Sequence, residues 1–320
     1  MADLYLCADI GATNARFAAV RADGEQLQVV QRIQLASAAH ASVVELLQAA
    51  RNQLAGEFSA IALALPGPVM GGCCRVTLLP WLISEVEIEQ ATGLPCRLLN
   101  DLEAQGWGID QLAASELVCL TPERTGQPGN RCIIAPGSDL GEAILYWDGQ
   151  QHRPFPTEGG HCDFAPSDEL EWQLAELLME QYGQARWGDL LSGRGIVALY
   201  RMLAADSSCC KSGEDIADLA NQGDSAAAEA IARFLRLLGR EAANLGLKSM
   251  ALDGVYIAGG IVPSLPRPQV QSLVLEGFDA KPSMAHLLQT IPLRLICSDN
   301  LGILGCGRFL RQNPRRDLGA

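Results

Sequence analysis

Two separated stretches of this chain share one plan, and the repetition restricts the fold more than any other feature. Leu4-Tyr5-Leu6-Cys7-Ala8 and Phe17-Ala18-Ala19-Val20 are apolar runs joined by Asp9-Ile10-Gly11-Ala12-Thr13-Asn14-Ala15-Arg16. Cys132-Ile133-Ile134-Ala135-Pro136 and Ala143-Ile144-Leu145-Tyr146-Trp147 flank Gly137-Ser138-Asp139-Leu140-Gly141 in the same way. Extended runs on either side of a Gly-bearing turn read as hairpins. Elsewhere, apolar strands alternate with segments of helical period, which is the grammar of a mixed α/β sheet with helices outside. At 320 residues the chain exceeds the usual capacity of one core, so two lobes are expected.

The first turn carries groups that suit a phosphate: a glycine for close backbone approach, the Thr13 hydroxyl, backbone N–H donors and Arg16. Asp9, at the end of the leading strand, could hold Mg²⁺ directly or through water. An ordinary hairpin turn uses the same residue types, so this stretch alone leaves both readings open.

The formal charge of −13 argues against nucleic acid as a partner, because phosphate backbones need clustered Lys and Arg. A single nucleotide in a local pocket is not excluded. The eleven Cys are scattered, with adjacent pairs at Cys73-Cys74 and Cys209-Cys210, and match no zinc spacing. Cys7, Cys119 and Cys297 stand in apolar company and read as small buried hydrophobes. No charged start followed by an apolar core is visible, and no apolar run approaches the ~18 residues of a membrane span. A soluble cytoplasmic protein with no membrane partner is the expectation.

The pattern predicts a third strand over Leu27–Leu35 and a helix over Val43–Leu54 capped by Ser42. Strands follow at Ser59–Leu65 and Arg75–Leu79, a helix opens at Ile83 or Ser84, and strand Cys96–Leu99 leads into helix Leu102–Trp107. Helices are expected over Glu169–Tyr182, Gly195–Ala205, Glu214–Asn221 and Ser225–Met250. Strands Gly254–Ala258 and Leu293–Cys297, helix Leu301–Arg311 and a frayed tail from Gln312 complete the reading.

Asn100-Asp101 sits where a strand stops and a helix starts, and the carboxylate there reads either as a helix N-cap or as a general base. Pro156 to Phe164 packs Glu158, His161 and Asp163 around Gly159-Gly160, as a loop that binds something polar would. His161 alone reads equally as a satisfied structural imidazole.

Together these residues resemble the bacterial glucokinase family, of the actin-like, ribonuclease-H-like ATPase superfamily. Asp9–Arg16 is similar to the first phosphate loop of that family, Leu98–Leu102 to the segment with the catalytic Asp, and Pro136–Gly141 to the second phosphate loop. Glu158–Pro166 is similar to the sugar motif, Tyr256–Pro263 to the adenosine motif, and Asp299–Gly305 to the closing segment. The resemblance implies a two-lobed actin-like fold of mixed sheets flanked by helices, with a cleft between lobes. The small lobe would be 1–105 plus 299–320 and the large lobe 106–298. It implies phosphoryl transfer from MgATP to the 6-hydroxyl of glucose or a related hexose, with Asp101 as general base. Asp9 would orient Mg²⁺, while Gly11, Ala12, Thr13, Asn14, Gly137, Ser138, Gly259 and Gly260 would bind ATP. Asn100, Asp101, Glu158 and His161 would hold the sugar, and a homodimer is implied.

Three departures bear on activity. Ser138-Asp139 replaces the usual Thr-Gly of the second phosphate loop, so Asp139 is expected to strain any left-handed backbone there and to repel polyphosphate. Gly188 falls where the family has a sugar-contacting Glu, with Asp189 adjacent as a partial substitute. Leu78-Leu79-Pro80-Trp81 replaces an Asn-His pair before Trp, and is expected to make a cleft wall apolar. A weakened or non-catalytic sugar- or nucleotide-binding regulator on the same fold is therefore the alternative. A sugar-responsive repressor is disfavoured, since the phosphate loop starts within ten residues and leaves no DNA-binding helix pair.

Overall fold

The computed structural model describes residues 3–24, 26–76, 79–204 and 212–313. The chain divides into two units, one of Met1–Ala114, Pro154–Pro156 and Ser298–Ala320, the other of Ser115–Arg153 and Thr157–Cys297.

In the first unit, β1 (Asp3–Ile10), β2 (Asn14–Asp23) and β3 (Gln26–Ala36) form an antiparallel meander. Ser42 caps α1 (Val43–Gln53) by accepting the Glu45 N–H, and the chain crosses to β4 (Ala60–Leu65), parallel to β1. A side sheet of β5 (Val69–Met70), β6 (Cys73–Arg75) and β7 (Leu82–Ser84) precedes α2 (Glu85–Thr92). Then β8 (Cys96–Asn100) joins parallel to β4 and runs into α3 (Asp101–Gly108), giving the order β3-β2-β1-β4-β8. Alternate residues of β1 point to opposite faces. Leu6, Ala8 and Ile10 pack with Phe17, Leu47 and Leu63, while Tyr5 and Cys7 pack with Trp107, Ile303 and Cys306. Both faces are covered, which is why the central strands are almost wholly apolar.

The expected strand over Arg75–Leu79 is displaced. The strand is Cys73–Arg75, because this segment pairs with Leu82–Ser84, and that pairing also delays the helix to Glu85. Thr77 and Leu78 lie outside the described residues. Trp81 is buried in the first unit's core with half-buried Leu79 packed against it.

In the second unit, β9 (Leu117–Cys119) comes first, and β10 (Arg131–Pro136) turns back antiparallel into β11 (Leu140–Trp147), followed by β12 (His152–Thr157). Helices α4 (Glu169–Tyr182), α5 (Trp187–Leu190), α6 (Gly193–Leu203), α7 (Gly213–Asn221) and α8 (Ser225–Ser249) follow. Next come β13 (Gly254–Ile257), α9 (Arg267–Phe278), α10 (Ala285–Leu288) and β14 (Leu293–Ile296). The order is β12-β11-β10-β13-β14-β9, with β13 parallel to β10 and β14 parallel to β13. Phe234, Leu238, Phe278 and Trp187 are central in its core. The sheets thus share one topology, a hairpin extended on one side by a third strand and on the other by two parallel strands, to which the second sheet adds the antiparallel edge strand β9.

The pattern did not predict α5 or α9. In α9, Pro268 sits in the first turn, where its missing N–H costs nothing, rather than breaking a helix. Cys7 and Cys132 are buried as expected, but Cys119 is exposed on the sheet-edge strand β9 and Cys297 is half-buried. Among the described residues no helix is long and apolar enough to cross a membrane. The tail beyond Asn313 lies outside the described residues.

The chain returns to the first unit as α11 (Leu301–Gln312), which packs on α3. A Cβ at Gly305 would strike the Ala104 carbonyl, so the two helices meet backbone to backbone. That packing holds α3 with the first unit and puts its boundary after Ala114 rather than at residue 105. Leu63 lies fully buried in the central strand β4. Leu63→Ala should cost about 2–5 kcal/mol of stability, read as a lower midpoint in urea denaturation.

Candidate active site

In the first unit, parallel pairing brings the C-terminal ends of three strands to one edge of the sheet. Asp9 pairs with Ala64 and Leu65 with Asn100, so Asp9 and the Asn100-Asp101 corner share that edge. The Gly11–Asn14 turn closes through Gly11 N–H to the Asn14 carbonyl at 3.0 Å. Buried Ser37, just past β3, clamps it from behind: its hydroxyl donates to the Gly11 carbonyl at 2.7 Å and its N–H to the Thr13 carbonyl at 2.9 Å. Gly11 and Ala12 are half-buried, and Thr13 and Asn14 are exposed. Burial raises the Asp9 carboxyl above its usual range, with the charge of Arg16 pulling the other way. Gly302, in the first turn of α11, lies beside the same carboxylate, 3.8 Å separating its ideal Cβ position from Asp9 Cγ.

At the strand-helix corner the cap is the amide and not the carboxylate, because the helix begins at Asp101 itself. Asn100 is the cap of α3: its Oδ1 accepts the N–H groups of Leu102 and Glu103, and its Nδ2 donates to the Gly67 carbonyl at 3.3 Å. Asp101 is the first helical residue, half-buried, with Oδ1 2.9 Å from the Leu102 N–H. The Leu102 N–H is thus shared between the Asn100 amide oxygen and the Asp101 carboxylate.

In the second unit the Gly137–Asp139 turn closes through Gly137 N–H to the Asp139 carbonyl at 2.9 Å. It too is clamped from behind, here by the start of α6. Gly193 N–H donates to the Gly137 carbonyl at 3.1 Å, and Arg194 donates to the Ser138 carbonyl at 3.3 Å and to Asp139 Oδ2 at 2.9 Å. Two expectations for Asp139 are overturned. Among the described residues Met250 is the only non-glycine with positive φ, so Asp139 carries no left-handed strain. Its carboxylate is answered by Arg194 and the Leu140 N–H rather than standing bare beside the turn. Gly259, with φ of +85°, abuts the Pro136 carbonyl and joins the adenosine-type motif to the turn, and Gly260 is exposed next to it.

Glu158 and His161 are exposed on either side of half-buried Gly159 and buried Gly160, and His161 Nε2 lies 3.6 Å from Glu158 Oε2. Arg186 Nη1 reaches His161 Nδ1 at 2.7 Å. A guanidinium only donates, so Nδ1 accepts and the ring proton of that neutral tautomer sits on Nε2, towards Glu158. Arg186 meets Asp189 through two parallel bonds, Nη2 to Oδ1 at 2.6 Å and Nε to Oδ2 at 3.0 Å. The Asp189 side chain is only 1% exposed. It therefore supports Arg186 and, at 3.4 Å, Arg194, instead of presenting itself to a ligand. Burial alone would raise this carboxyl, but the Arg186 hydrogen bonds outweigh it and hold it below the usual carboxylate range.

The residues that the sequence reading missed are the clamps: Ser37, Arg186 and Arg194. An Arg three residues before an Asp is a legible local pair, yet such pairs are common on exposed helices and point to no site.

The doubled sheet, with a clamped glycine turn in each copy, is the architecture of the actin-like ATPase class. A family model described as Glucokinase matches residues 6–313. A glucokinase from Pseudomonas paraeruginosa is 34% identical over 97% of this chain and 93% of its own. The crystal structure of a glucokinase from an Antarctic psychrotroph superposes with a TM-score of 0.83 at 27% identity, over 97% of this chain and 99% of that one. A glucokinase from Streptomyces griseus, solved with glucose and AMPPNP, shares the fold at a TM-score of 0.65 and 19% identity, over 97% and 99% of the two chains. The chain belongs to the glucokinase family.

Two acids beneath the sugar-type loop give opposite responses to pH. Arg186→Ala should strand buried Asp189 and cost about 3–5 kcal/mol in denaturant unfolding. Glu142, on β11, is buried with its Oε2 filling the space beside Gly159. Burial, reinforced by the charge of Glu241 and offset by Lys248, pushes it from 4.5 up to about 8. The folded state then holds a proton that the unfolded state releases, so stability falls as pH rises between about 4.5 and about 8. The slope from this group approaches about 1.4 kcal/mol per pH unit, and Glu142→Gln should remove it from a series of melts.

Proposed function

We propose that this chain is an ATP-dependent hexose kinase that moves the γ-phosphate to the 6-hydroxyl of glucose or a closely related hexose. The observation that carries the reading is the Asn100-Asp101 corner, which parallel pairing sets at the same end of the sheet as Asp9. A sugar hydroxyl is a weak nucleophile, and Asp101 takes its proton as the bond to phosphorus forms. Asn100, Glu158 and His161 orient the sugar, His161 donating from the Nε2 that Arg186 defines. Asp189 serves the sugar through Arg186 and not by contact.

Phosphoryl transfer depends mainly on alignment and on offsetting charge, which backbone N–H groups of a rigid turn can do without reorganising. Gly11, Ala12, Thr13 and Asn14, and Gly137 and Ser138, are the phosphate turns, and Gly259 and Gly260 lie against the adenosine. Magnesium suits Asp9, since the ion takes one or two carboxylates with water and phosphate oxygens, and burial makes this carboxylate's bare charge costly. Asp9 would hold it directly or through water, and the bound ion would supply positive charge to the phosphates. Of the two features behind a non-catalytic reading, Asp139 and Gly188, the first has its charge answered by Arg194, which supports the kinase reading. A cytoplasmic homodimer is the assembly we infer from the family and from the prevalence of two-fold oligomers.

The test is ATP-dependent phosphorylation of a panel of hexoses. Asp101→Asn should lower kcat by about 10²–10⁴ while sugar KM moves little. If wild type and Asp101→Asn are equally silent on every sugar, the kinase reading fails.

A further inference from the structure

The two positions singled out in the sequence, 139 and 188, meet in the second unit. A Cβ placed on Gly188 would run into Asp139 Oδ1 and lie 3.1 Å from the Gly160 carbonyl oxygen. The Asp139 carboxylate thus fills the space that a side chain at 188 would use, and it does so against the Glu158–His161 loop. Gly160 rests on the residue after Asp139, for its own Cβ would strike the Leu140 carbonyl. The main chain of Asp139 belongs to the phosphate turn, while its side chain turns onto the wall of the sugar loop.

That carboxylate is held and still open. Oδ1 accepts the Leu140 N–H and Oδ2 accepts Arg194, both at 2.9 Å, which leaves acceptor capacity on each oxygen. Arg194 is itself fixed by the Ser138 carbonyl and Asp189, so Asp139 has one direction in which to point. The side chain remains 42% exposed. A rigid, half-open carboxylate that only accepts is matched to a hydroxyl and mismatched to a phosphate.

We propose that Asp139 is a sugar-contacting residue, accepting a hydrogen bond from a hydroxyl of the hexose at the Glu158–His161 loop, and that Gly188 is the space that permits it. The proposal rests on the sugar-kinase reading above. Losing a hydrogen bond to a charged acceptor typically weakens binding by about tenfold to a hundredfold. Calorimetric titration of the full chain with glucose, and separately with MgADP, tests it on wild type, Asp139→Asn and Gly188→Ala, with thermal melts confirming that each is folded.

Asp139→Asn should weaken glucose by at least about tenfold and leave MgADP unchanged. Gly188→Ala should do the same by displacing an intact Asp139, and it stands as the measurement if Asp139→Asn fails to fold. Unchanged glucose affinity in the folded variants, or a loss confined to MgADP, overturns the proposal. A wild type that binds glucose and transfers no phosphate, with Asp139→Asn weakened, removes the kinase reading and keeps this one. A wild type that binds no hexose removes both.

Discussion

The polar cluster of the second unit hangs from one carboxylate. Asp189 is almost sealed from solvent, and it stays ionised because Arg186 meets both of its oxygens and Arg194 approaches one. The consequences run outward in two directions. Through Arg186 the buried charge sets which nitrogen of His161 carries the proton. Through Arg194 it reaches Asp139 and the Ser138 carbonyl, and so the shape of the phosphate turn. A single buried anion thereby links the Glu158–His161 loop to the Gly137–Asp139 turn inside one unit, with Arg186 held between Asp189 and His161 and Arg194 among Asp189, Asp139 and the Ser138 carbonyl.

The two glycine turns solve a common problem in different ways. A turn meant to offer N–H groups to a ligand must have its carbonyls satisfied elsewhere, or the backbone will re-pair. In the first unit Ser37 does this with one hydroxyl and one N–H. In the second unit Gly193 and Arg194, at the start of α6, do it with a backbone donor and a guanidinium. The sheets repeat in topology, but the clamps come from unrelated places in the chain.

Much of this was legible in the residues. The hairpins at 4–20 and 132–147 announce themselves through continuous apolar runs around glycine, and helix α4 has the limits that its pattern predicts. A cap at the strand-to-helix corner was legible, but the sequence pointed to the carboxylate, and the register of the helix start gave the role to Asn100 instead. Other features depended on distant neighbours. Cys119 is exposed because β9 is an edge strand, and an edge is a property of the sheet rather than of three apolar residues. Asp189 looked like a ligand contact, since charge and position in sequence say nothing about which way a side chain points.

Residue order by itself determined the doubled α/β plan, the turns, and the polar groups that crowd around them, because these follow from short-range periodicity and from what glycine, proline and capping side chains allow. The tertiary structure alone decided the direction of each charge. Asp139 reads as a repulsive neighbour of phosphate until Gly188, almost fifty residues on, proves to be the gap into which it folds. Local sequence carries no signal of that meeting, since it exists only once α5 and α6 pack behind the turn and bring Arg194 within hydrogen-bonding distance.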